Sequence, residues 1–179
     1  PNTPGLRDIQ NRGQIEKLVQ ALLNKKNKLS ALESIPIFFK ISPDLNEEQI
    51  RDIALMSLAN NIDGLVLSNS TLDRPVTLMS GFKNEIGGLS GKPLFLKSNL
   101  ILKKMYKLTN SQIPLIGVGG ISNGLECYEK IKSGASLVQL YSALTYEGPP
   151  IIKKILSELI NLLKADGYKN IKEAIGKDV

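Results

Sequence analysis

Residues 114–140, PLIGVGGISNGLECYEKIKSGASLVQL, decide the fold. Both ends of this stretch, 114–118 and 135–140, are short, uncharged and mostly apolar, as buried strands are. Between them, 126–133 predicts a helix that Gly134 closes, because glycine readily adopts the left-handed conformation that ends helices. Two such strands joined through a helix predict a parallel βα unit, in a sheet that is covered on both faces.

The same alternation continues on both sides of this unit. The hydrophobic spacing predicts helices over 12–28, 46–60 and 100–108, strands over 35–41 and 64–67, and a last helix from Pro150 to about Asp166, with Gly167 as its C-cap. Apolar strands that alternate with helices indicate the α/β class with a parallel sheet.

Two α/β architectures compete, an open doubly wound sheet and part of a (β/α)8 barrel. A complete barrel has eight strands and about 250 residues, whereas this chain has 179 residues and four predicted strands. It would therefore be half a barrel, which leaves two sheet edges and an apolar interior uncovered. Because the chain also starts at Pro1 without an initiator Met, we expect a missing N-terminal half.

The composition, 42% hydrophobic and 22% charged residues, is typical of a soluble globular protein. The chain has no histidine and a single cysteine, Cys127, which excludes a histidine-based triad, a histidine-containing zinc site and an internal disulfide from this span. We expect no metal. The longest uncharged run, 108–125, contains four glycines and a proline, so it does not predict a membrane helix.

The net charge is +6, from 23 basic and 17 acidic residues, which is a weak indication of anionic partners. Most of the lysines fall on predicted helices and indicate a solvated face. Nucleic-acid binding would need aromatic residues among the basic ones and more than the four arginines present, so we reject that class.

The carboxyl ends of the third and fourth strands carry the pattern of an anion site. In βα barrels the functional residues follow the strand ends, and phosphate groups are often bound after the last two strands. Gly119 and Gly120 allow close backbone approach, and free N–H groups at the start of the following helix favour an anion. Tyr141 and Ser142 add hydroxyl and N–H groups after the fourth strand. Although such glycines are often only a tight turn, two adjacent junctions predict a phosphate site.

Polar residues also follow the first two strands. The charge of Lys40, near the end of an apolar strand, either sits at the rim above a stem on apolar surface or stabilises a developing anion on a bound cofactor. Ser68, Asn69, Ser70 and Thr71 suit a planar ligand with donors and acceptors, or they form an Asx or Ser turn.

The segment 72–98 is too long for a simple connection, and such segments are usually functional or disordered. Its glycines, among them Gly91, indicate a backbone approach to a ligand. Cys127 lies in a predicted helix, where a buried apolar role is more common than that of a nucleophile.

Seven motifs in register give the chain a family resemblance. The motifs are PNTPGLR at 1–7, KISPDL at 40–45, SNST at 68–71, GLSGKP at 88–93, GVGG at 117–120, LVQLY at 137–141 and GPP at 148–150. With them the chain resembles, over essentially its whole length, the C-terminal half of the class 2 dihydroorotate dehydrogenases, which are FMN-dependent (β/α)8 barrels. The resemblance implies oxidation of (S)-dihydroorotate to orotate in pyrimidine synthesis, with electrons passing from FMN to a membrane quinone.

The resemblance also implies roles for individual residues. The substrate would be bound by Asn2, Asn69 and Ser70. The flavin would be contacted at its pyrimidine edge by Lys40, at its ring or ribityl chain by Ser68 and Gly91, and at its phosphate by Gly119, Gly120, Tyr141 and Ser142.

Two departures from the family pattern bear on these roles. Ser68 and Ser70 replace threonines, which keeps the hydroxyls and loses the methyl groups. The family's catalytic serine precedes the Pro-Asn-Thr motif, so it would adjoin Pro1 outside this chain, and the first four strands and the quinone tunnel are missing too. We therefore expect activity only together with the N-terminal half, as a peripheral protein of a bacterial or mitochondrial inner membrane.

Two alternatives stay open. A class 1 dihydroorotate dehydrogenase, which is soluble, would use a cysteine base and other electron acceptors, although the PNTPGLR start and the YEGPP tail favour class 2. A non-catalytic half barrel would serve only as a folding or binding module.

Overall fold

The strands of the protein pair in parallel, in the order in which they occur along the chain. The computed structural model describes residues 12–29 and 35–179. Its four strands are β1 (Phe38–Ile41), β2 (Gly64–Leu67), β3 (Leu115–Val118) and β4 (Leu137–Gln139). The predicted α/β class with a parallel sheet is confirmed. A doubly wound sheet would reverse its strand order at a switch point, and the described strands do not.

Helices connect these strands and cover one face of the sheet. They are α1 (Arg12–Lys28), α2 (Glu47–Ala59), α3 (Phe95–Leu108), α4 (Gly124–Lys132), α5 (Ser142–Glu147) and α6 (Pro150–Ala165), with 3-10 turns at Lys92–Leu94 and Ile171–Ala174. The bounds agree closely with the predicted helices, except at α3 and α5.

Three elements differ from prediction for local reasons. Helix α3 begins at Phe95, because the 3-10 turn that contains Pro93 leads directly into it. Helix α5 was not predicted, since so short a helix carries too little periodicity to be recognised. Strand β1 starts at Phe38 rather than at residue 35, and the Ile37 amide just before it donates to the Asp63 carboxylate (2.7 Å).

Side chains alternate between the two faces of the sheet. On one face Leu65, Leu67 and Leu115 are buried in a core with Ile53 of α2 and Leu102 of α3. The opposite face, called the open face here, is formed by Phe38, Lys40, Val66, Ile116, Val118, Leu137 and Gln139. Leu137 is 64% exposed there, so the described residues leave an apolar surface uncovered.

A second core lies between α4 and α6, beside β4. It buries Ile121, Cys127, Tyr128 and Ile131 with Ile151, Ile155 and Leu159. An apolar groove of about 660 Å³ runs along β4 and the neighbouring face of α6. Because β1 and β4 are the edges of the described sheet, both edges have room for a further strand, as half a barrel requires.

The packing of α3 on the sheet predicts a large difference between two of its leucines. Leu102 has 0% exposure, whereas Leu100 in the same helix is 60% exposed. Leu102→Ala leaves a cavity, so it is expected to lower the free energy of unfolding of the intact protein by about 2–5 kcal/mol. Leu100→Ala is the matched control and should change it by less than about 0.5 kcal/mol. Urea denaturation followed by circular dichroism checks both, and equal losses would contradict this packing.

Candidate functional site at the carboxyl edge of the sheet

The four strand ends meet at one edge of the sheet, here called the carboxyl edge. The loop after β2 spans this edge, because the Ser68 amide donates to Val118 O (3.2 Å) and the Asn69 amide donates to Ile41 O (2.9 Å). Ser68 is buried, and its hydroxyl donates to the Asn69 carbonyl (3.1 Å). Asn69 itself is exposed and Ser70 is partly exposed. The predicted polar pair Asn69 and Ser70 is therefore accessible from the carboxyl edge.

The loop after β3 packs directly on the start of α3. A Cβ atom at Gly120, whose φ is +79°, would lie 2.5 Å from Phe95 Cβ. One at Gly119, whose φ is +115°, would lie 3.0 Å from Ser98 Oγ. Both the close approach and the positive φ require glycine. Close packing on α3 is therefore sufficient to explain why both positions are glycine. This is the explanation that the tight-turn alternative gives.

A cavity of about 250 Å³ lies where the loops after β3 and β4 meet the Lys92–Leu94 turn. Its lining includes five of the predicted site residues and one lysine, namely Gly91, Gly119, Gly120, Tyr141, Ser142 and Lys92. The hydroxyls of Ser90 and Ser142 are 3.0 Å apart, which joins the segment before the Lys92–Leu94 turn to the loop after β4. Hydroxyl groups, an ammonium group and glycine backbone are donors that suit an anion. The lining also contains Glu147, whose carboxylate is paired with Lys154 (3.7 Å), so the residues present fit a phosphate group.

The start of α4 does not offer the free N–H groups that the sequence led us to expect. The Ser122 amide donates to Glu126 Oε2 (2.7 Å), and the Gly124 amide donates to Glu158 Oε2 (2.6 Å). The Glu126 amide donates to Asn123 Oδ1 (2.8 Å), which caps the helix. That expectation is wrong for α4, because carboxylates already occupy the helix start. An anion in the cavity would be bound by the glycine loop and the loop after β4.

Lys40 lies on the open face, next to Val66 in the register of the sheet. Its side chain is exposed and lines the 660 Å³ groove together with Val118, Gln139 and Tyr141. Lys40 therefore shares a cavity with one of the residues predicted to bind phosphate. The position is compatible with both predicted roles, a stem on apolar surface and a charge presented to a cofactor.

An ionic cluster at the carboxyl edge was not predicted. Lys97 Nζ donates to Asp44 Oδ1 (2.6 Å) and also pairs with Asp73. Asp44 further accepts hydrogen bonds from the Thr71 hydroxyl and from the Leu72 amide (2.9 Å). Although partial burial lowers it, the hydrogen bonds to Asp44 and Asp73 leave the pKa of Lys97 above its ordinary value. In the sequence Asp44 appeared only within the motif at 40–45, with no partner indicated.

The long segment after β2 is an ordered loop that wraps around Arg74. The guanidinium donates to the carbonyls of Lys83 (2.9 Å), Glu85 (3.0 Å) and Gly87 (2.8 Å). A bridge between Thr71 and Leu89 closes the loop at its base. The loop therefore returns the chain to Gly91, which lines the 250 Å³ cavity.

Two buried polar side chains complete the neighbourhood. Lys130 of α4 has 0% exposure, and its Nζ donates to Ser98 Oγ and to Asn99 Oδ1, each at 2.6 Å. Burial lowers the pKa of Lys130 to about 7, although Glu126 and Glu129 act in the opposite direction. Since Lys130 follows a glutamate in a charged stretch, the sequence indicated only a solvated lysine.

Cys127 is buried in the second core, where burial raises the pKa of its thiol to about 11. A thiol in such surroundings stays protonated at neutral pH and is a poor nucleophile. The predicted apolar role of Cys127 is confirmed.

Comparison with known proteins identifies the family. Residues 1–163 match the family described as Dihydroorotate dehydrogenase. The chain belongs to the dihydroorotate dehydrogenase family. This agrees with the resemblance carried by its motifs.

Its relatives include proteins named dihydroorotate dehydrogenase (quinone) from bacteria, plants and mammals. The chain is 48% identical to that of Parvibaculum lavamentivorans, 46% to the mitochondrial one of Oryza sativa and 44% to the mitochondrial one of Mus musculus. These matches cover 100%, 99% and 99% of this chain, but 50%, 39% and 45% of the relatives. The chain spans about half the length of the curated relatives it matches.

Solved structures of dihydroorotate dehydrogenases show the same relation. The enzyme of Eimeria tenella in complex with ferulenol superposes with a TM-score of 0.93 at 38% identity, over 99% of this chain and 51% of that one. Its ligand-free form also gives 0.93, at 40% identity. The four parallel βα units therefore correspond to half of the neighbour's chain, and the predicted half-barrel architecture is confirmed.

Part of the predicted site lies beyond what the structure describes. Asn2 belongs to residues 1–11, outside the described residues.

No helix within 12–29 and 35–179 is long and apolar enough to cross a membrane.

The loop around Arg74 predicts a measurable loss of order when the guanidinium is replaced. Arg74→Lys keeps the charge but loses the planar fork that reaches six carbonyls, three of them in residues 83–87. We expect hydrogen–deuterium exchange of amides 83–89 in the intact protein to become about tenfold faster, because the local opening free energy falls. Arg51→Lys, an exposed arginine on α2, is the control. Unchanged exchange in Arg74→Lys would show that Arg74 does not hold the loop.

Proposed function

We propose that this chain is the C-terminal half of a quinone-linked dihydroorotate dehydrogenase. Together with the N-terminal half it oxidises (S)-dihydroorotate to orotate, with FMN as cofactor and a membrane quinone as electron acceptor. The observation that carries the proposal is the 44–48% identity, over nearly the whole chain, to relatives named dihydroorotate dehydrogenase (quinone). In this proposal the reaction belongs to pyrimidine synthesis.

The phosphate-sized cavity supports FMN as the cofactor. The backbone of Gly119 and Gly120 and the side chains of Tyr141 and Ser142 would hold the phosphate, and Lys92 adds a positive charge to the lining. Gly91 leaves room for the ribityl chain next to Ser142. When bound, FMN accepts the hydride of the substrate and supplies electrons to the quinone.

Lys40 supplies a fixed positive charge on the open face. A charge held in a site from which ligand and protein exclude water stabilises developing negative charge without reorganising. On the open face Lys40 lies beside Phe38 and Val66, so its stem can rest on apolar surface while its ammonium group is presented to a ligand. It would act at the pyrimidine edge of the flavin.

Asn69 and Ser70 would bind the substrate. Dihydroorotate presents a carboxylate, ring carbonyls and ring N–H groups, and a carboxamide with a hydroxyl offers donors and acceptors to match. Asn2 would add a second carboxamide. The Ser68 hydroxyl is buried and already donates to the Asn69 carbonyl, which argues against Ser68 as the proton acceptor. The proton at C5 would go to the serine expected to adjoin Pro1.

The open face and the two sheet edges would be covered by the N-terminal half, so that residues 1–179 form half of one FMN-binding domain. The exposed Leu137 and the groove beside β4 support this, since such apolar surface needs a cover. A quinone acceptor implies peripheral association with a membrane, bacterial or mitochondrial, as both kinds of relative are known.

The proposal is tested with the intact protein, in which this chain is continuous with its N-terminal half. We expect bound flavin absorbance and reduction of a ubiquinone analogue by dihydroorotate. Turnover with a soluble acceptor and none with the quinone would support the class 1 alternative. A protein that stays colourless after addition of FMN would contradict any flavin-dependent activity and leave the non-catalytic half barrel.

Lys40→Ala is expected to slow reduction of the bound flavin by dihydroorotate by about 100-fold, the size typical of losing one preorganised electrostatic group. Stopped-flow absorbance of the flavin measures this step separately from quinone reduction. Lys107→Ala, an exposed lysine at the end of α3, is the matched control. An unchanged rate in Lys40→Ala would return Lys40 to a packing role.

A further inference from the structure

The proposed mechanism leaves one charged side chain unused, the buried Lys130. Its ammonium group contacts two neutral oxygens and lies 5.0 Å from the centre of the Phe95 ring. Among the described residues, the ion pairs within 4.0 Å do not include Lys130. An ammonium group without a paired carboxylate is expensive to bury, so a site with such a group calls for an explanation.

The sheet is shaped to admit this lysine. A Cβ atom at Gly117 of β3 would lie 2.7 Å from Lys130 Cδ and 3.0 Å from Ala135 Cβ. Because Gly117 has no side chain, the stem of Lys130 can pass β3 at this position. The stem extends from α4 past β3 and places the ammonium group against α3.

A chain of hydrogen bonds leads from Lys130 to the glycine loop. Lys130 Nζ donates to Ser98 Oγ (2.6 Å), so the Ser98 hydrogen is left for a carbonyl. That hydroxyl lies 2.9 Å from Phe95 O and 3.2 Å from Gly119 O. The one hydrogen of this hydroxyl is shared between the nearer Phe95 carbonyl and the Gly119 carbonyl, so Ser98 links Lys130 to Gly119 at the start of α3.

The direction of this carbonyl sets the direction of the next amide. The peptide bond between Gly119 and Gly120 is trans, and in a trans peptide the C=O and the N–H point in opposite directions. With the Gly119 carbonyl turned towards Ser98, the Gly120 N–H points away from α3. Both glycines line the cavity that suits a phosphate group.

We propose that Lys130 is a positioning residue for the flavin phosphate. Through Ser98 it holds the Gly119 carbonyl against α3 and so aims the Gly120 amide at the phosphate. This inference rests on the proposed function, because it takes the FMN phosphate as the ligand of the cavity.

The test compares two flavins that differ only in the phosphate. The apo form of the intact protein is titrated with FMN and with riboflavin, and quenching of flavin fluorescence gives each Kd. The variants are Lys130→Met, which keeps the stem and removes the charge, and Ser98→Ala, which keeps Lys130 and removes the link. Lys132→Met is the matched control, since Lys132 lies on the same helix over the Tyr128 ring and pairs with Asp178.

We expect Lys130→Met and Ser98→Ala each to raise the Kd for FMN by at least about tenfold, as loss of a charge-assisted hydrogen bond does. The Kd for riboflavin should stay within about twofold, and Lys132→Met should change neither. If Lys130→Met does not fold, Ser98→Ala alone decides.

Two failures are distinguishable. If the wild-type protein binds FMN, but the variants weaken FMN and riboflavin equally or leave both unchanged, the positioning role is overturned and the proposed function stands. If the wild-type protein binds no FMN at all, the proposed function itself fails and the inference falls with it.

Discussion

Parallel pairing of β1 to β4 is the constraint on which the rest of the structure depends. Because parallel strands share one direction, every connection must return through a helix, and every strand ends at the same edge. This alone brings the loop of Asn69, the loop of Gly119 and the loop of Tyr141 together, although they are far apart in the chain. A shift of one residue in β1 would exchange Lys40 with Ile41 between the open face and the core, so burial of Ile41 fixes the register.

Most of the fold could be predicted from the sequence, because periodicity is local information. The apolar runs of β2 and β3 and the amphipathic pattern of α2 each identify their element without knowledge of its neighbours. The meeting of Gly91, Gly120 and Ser142 in one cavity also follows from the parallel rule.

The features that could not be predicted depend on partners distant in the chain. Lys97 fell in the long segment 72–98, outside any predicted helix, and its pairing with Asp44 spans 53 residues. Likewise, Glu158 occupies the start of α4 from 34 residues away. No local pattern marks such a carboxylate as a helix cap. Hence the sequence overstated the free N–H groups of α4, whereas five of the predicted site residues do line one cavity.

Packing on the side of α3 determines the conformation of the glycine loop after β3. A side chain at Gly117 would overlap the stem of Lys130, one at Gly119 would crowd Ser98, and one at Gly120 would overlap Phe95. In the sequence analysis, glycines of this loop indicated close approach of a ligand to its accessible side. Both views are compatible, because a backbone pressed on one side by packing presents its other side in a defined orientation.

Cys127 provides a chemical probe of local opening in the second core. It is the only cysteine of the chain, it is 1% exposed, and it borders the groove along β4 and α6. A thiol reagent can modify it only when α4 and α6 part from the sheet, so the modification rate reports the local opening equilibrium at this edge. The protein thus contains one intrinsic thiol, which can report how often the second core opens beside β4.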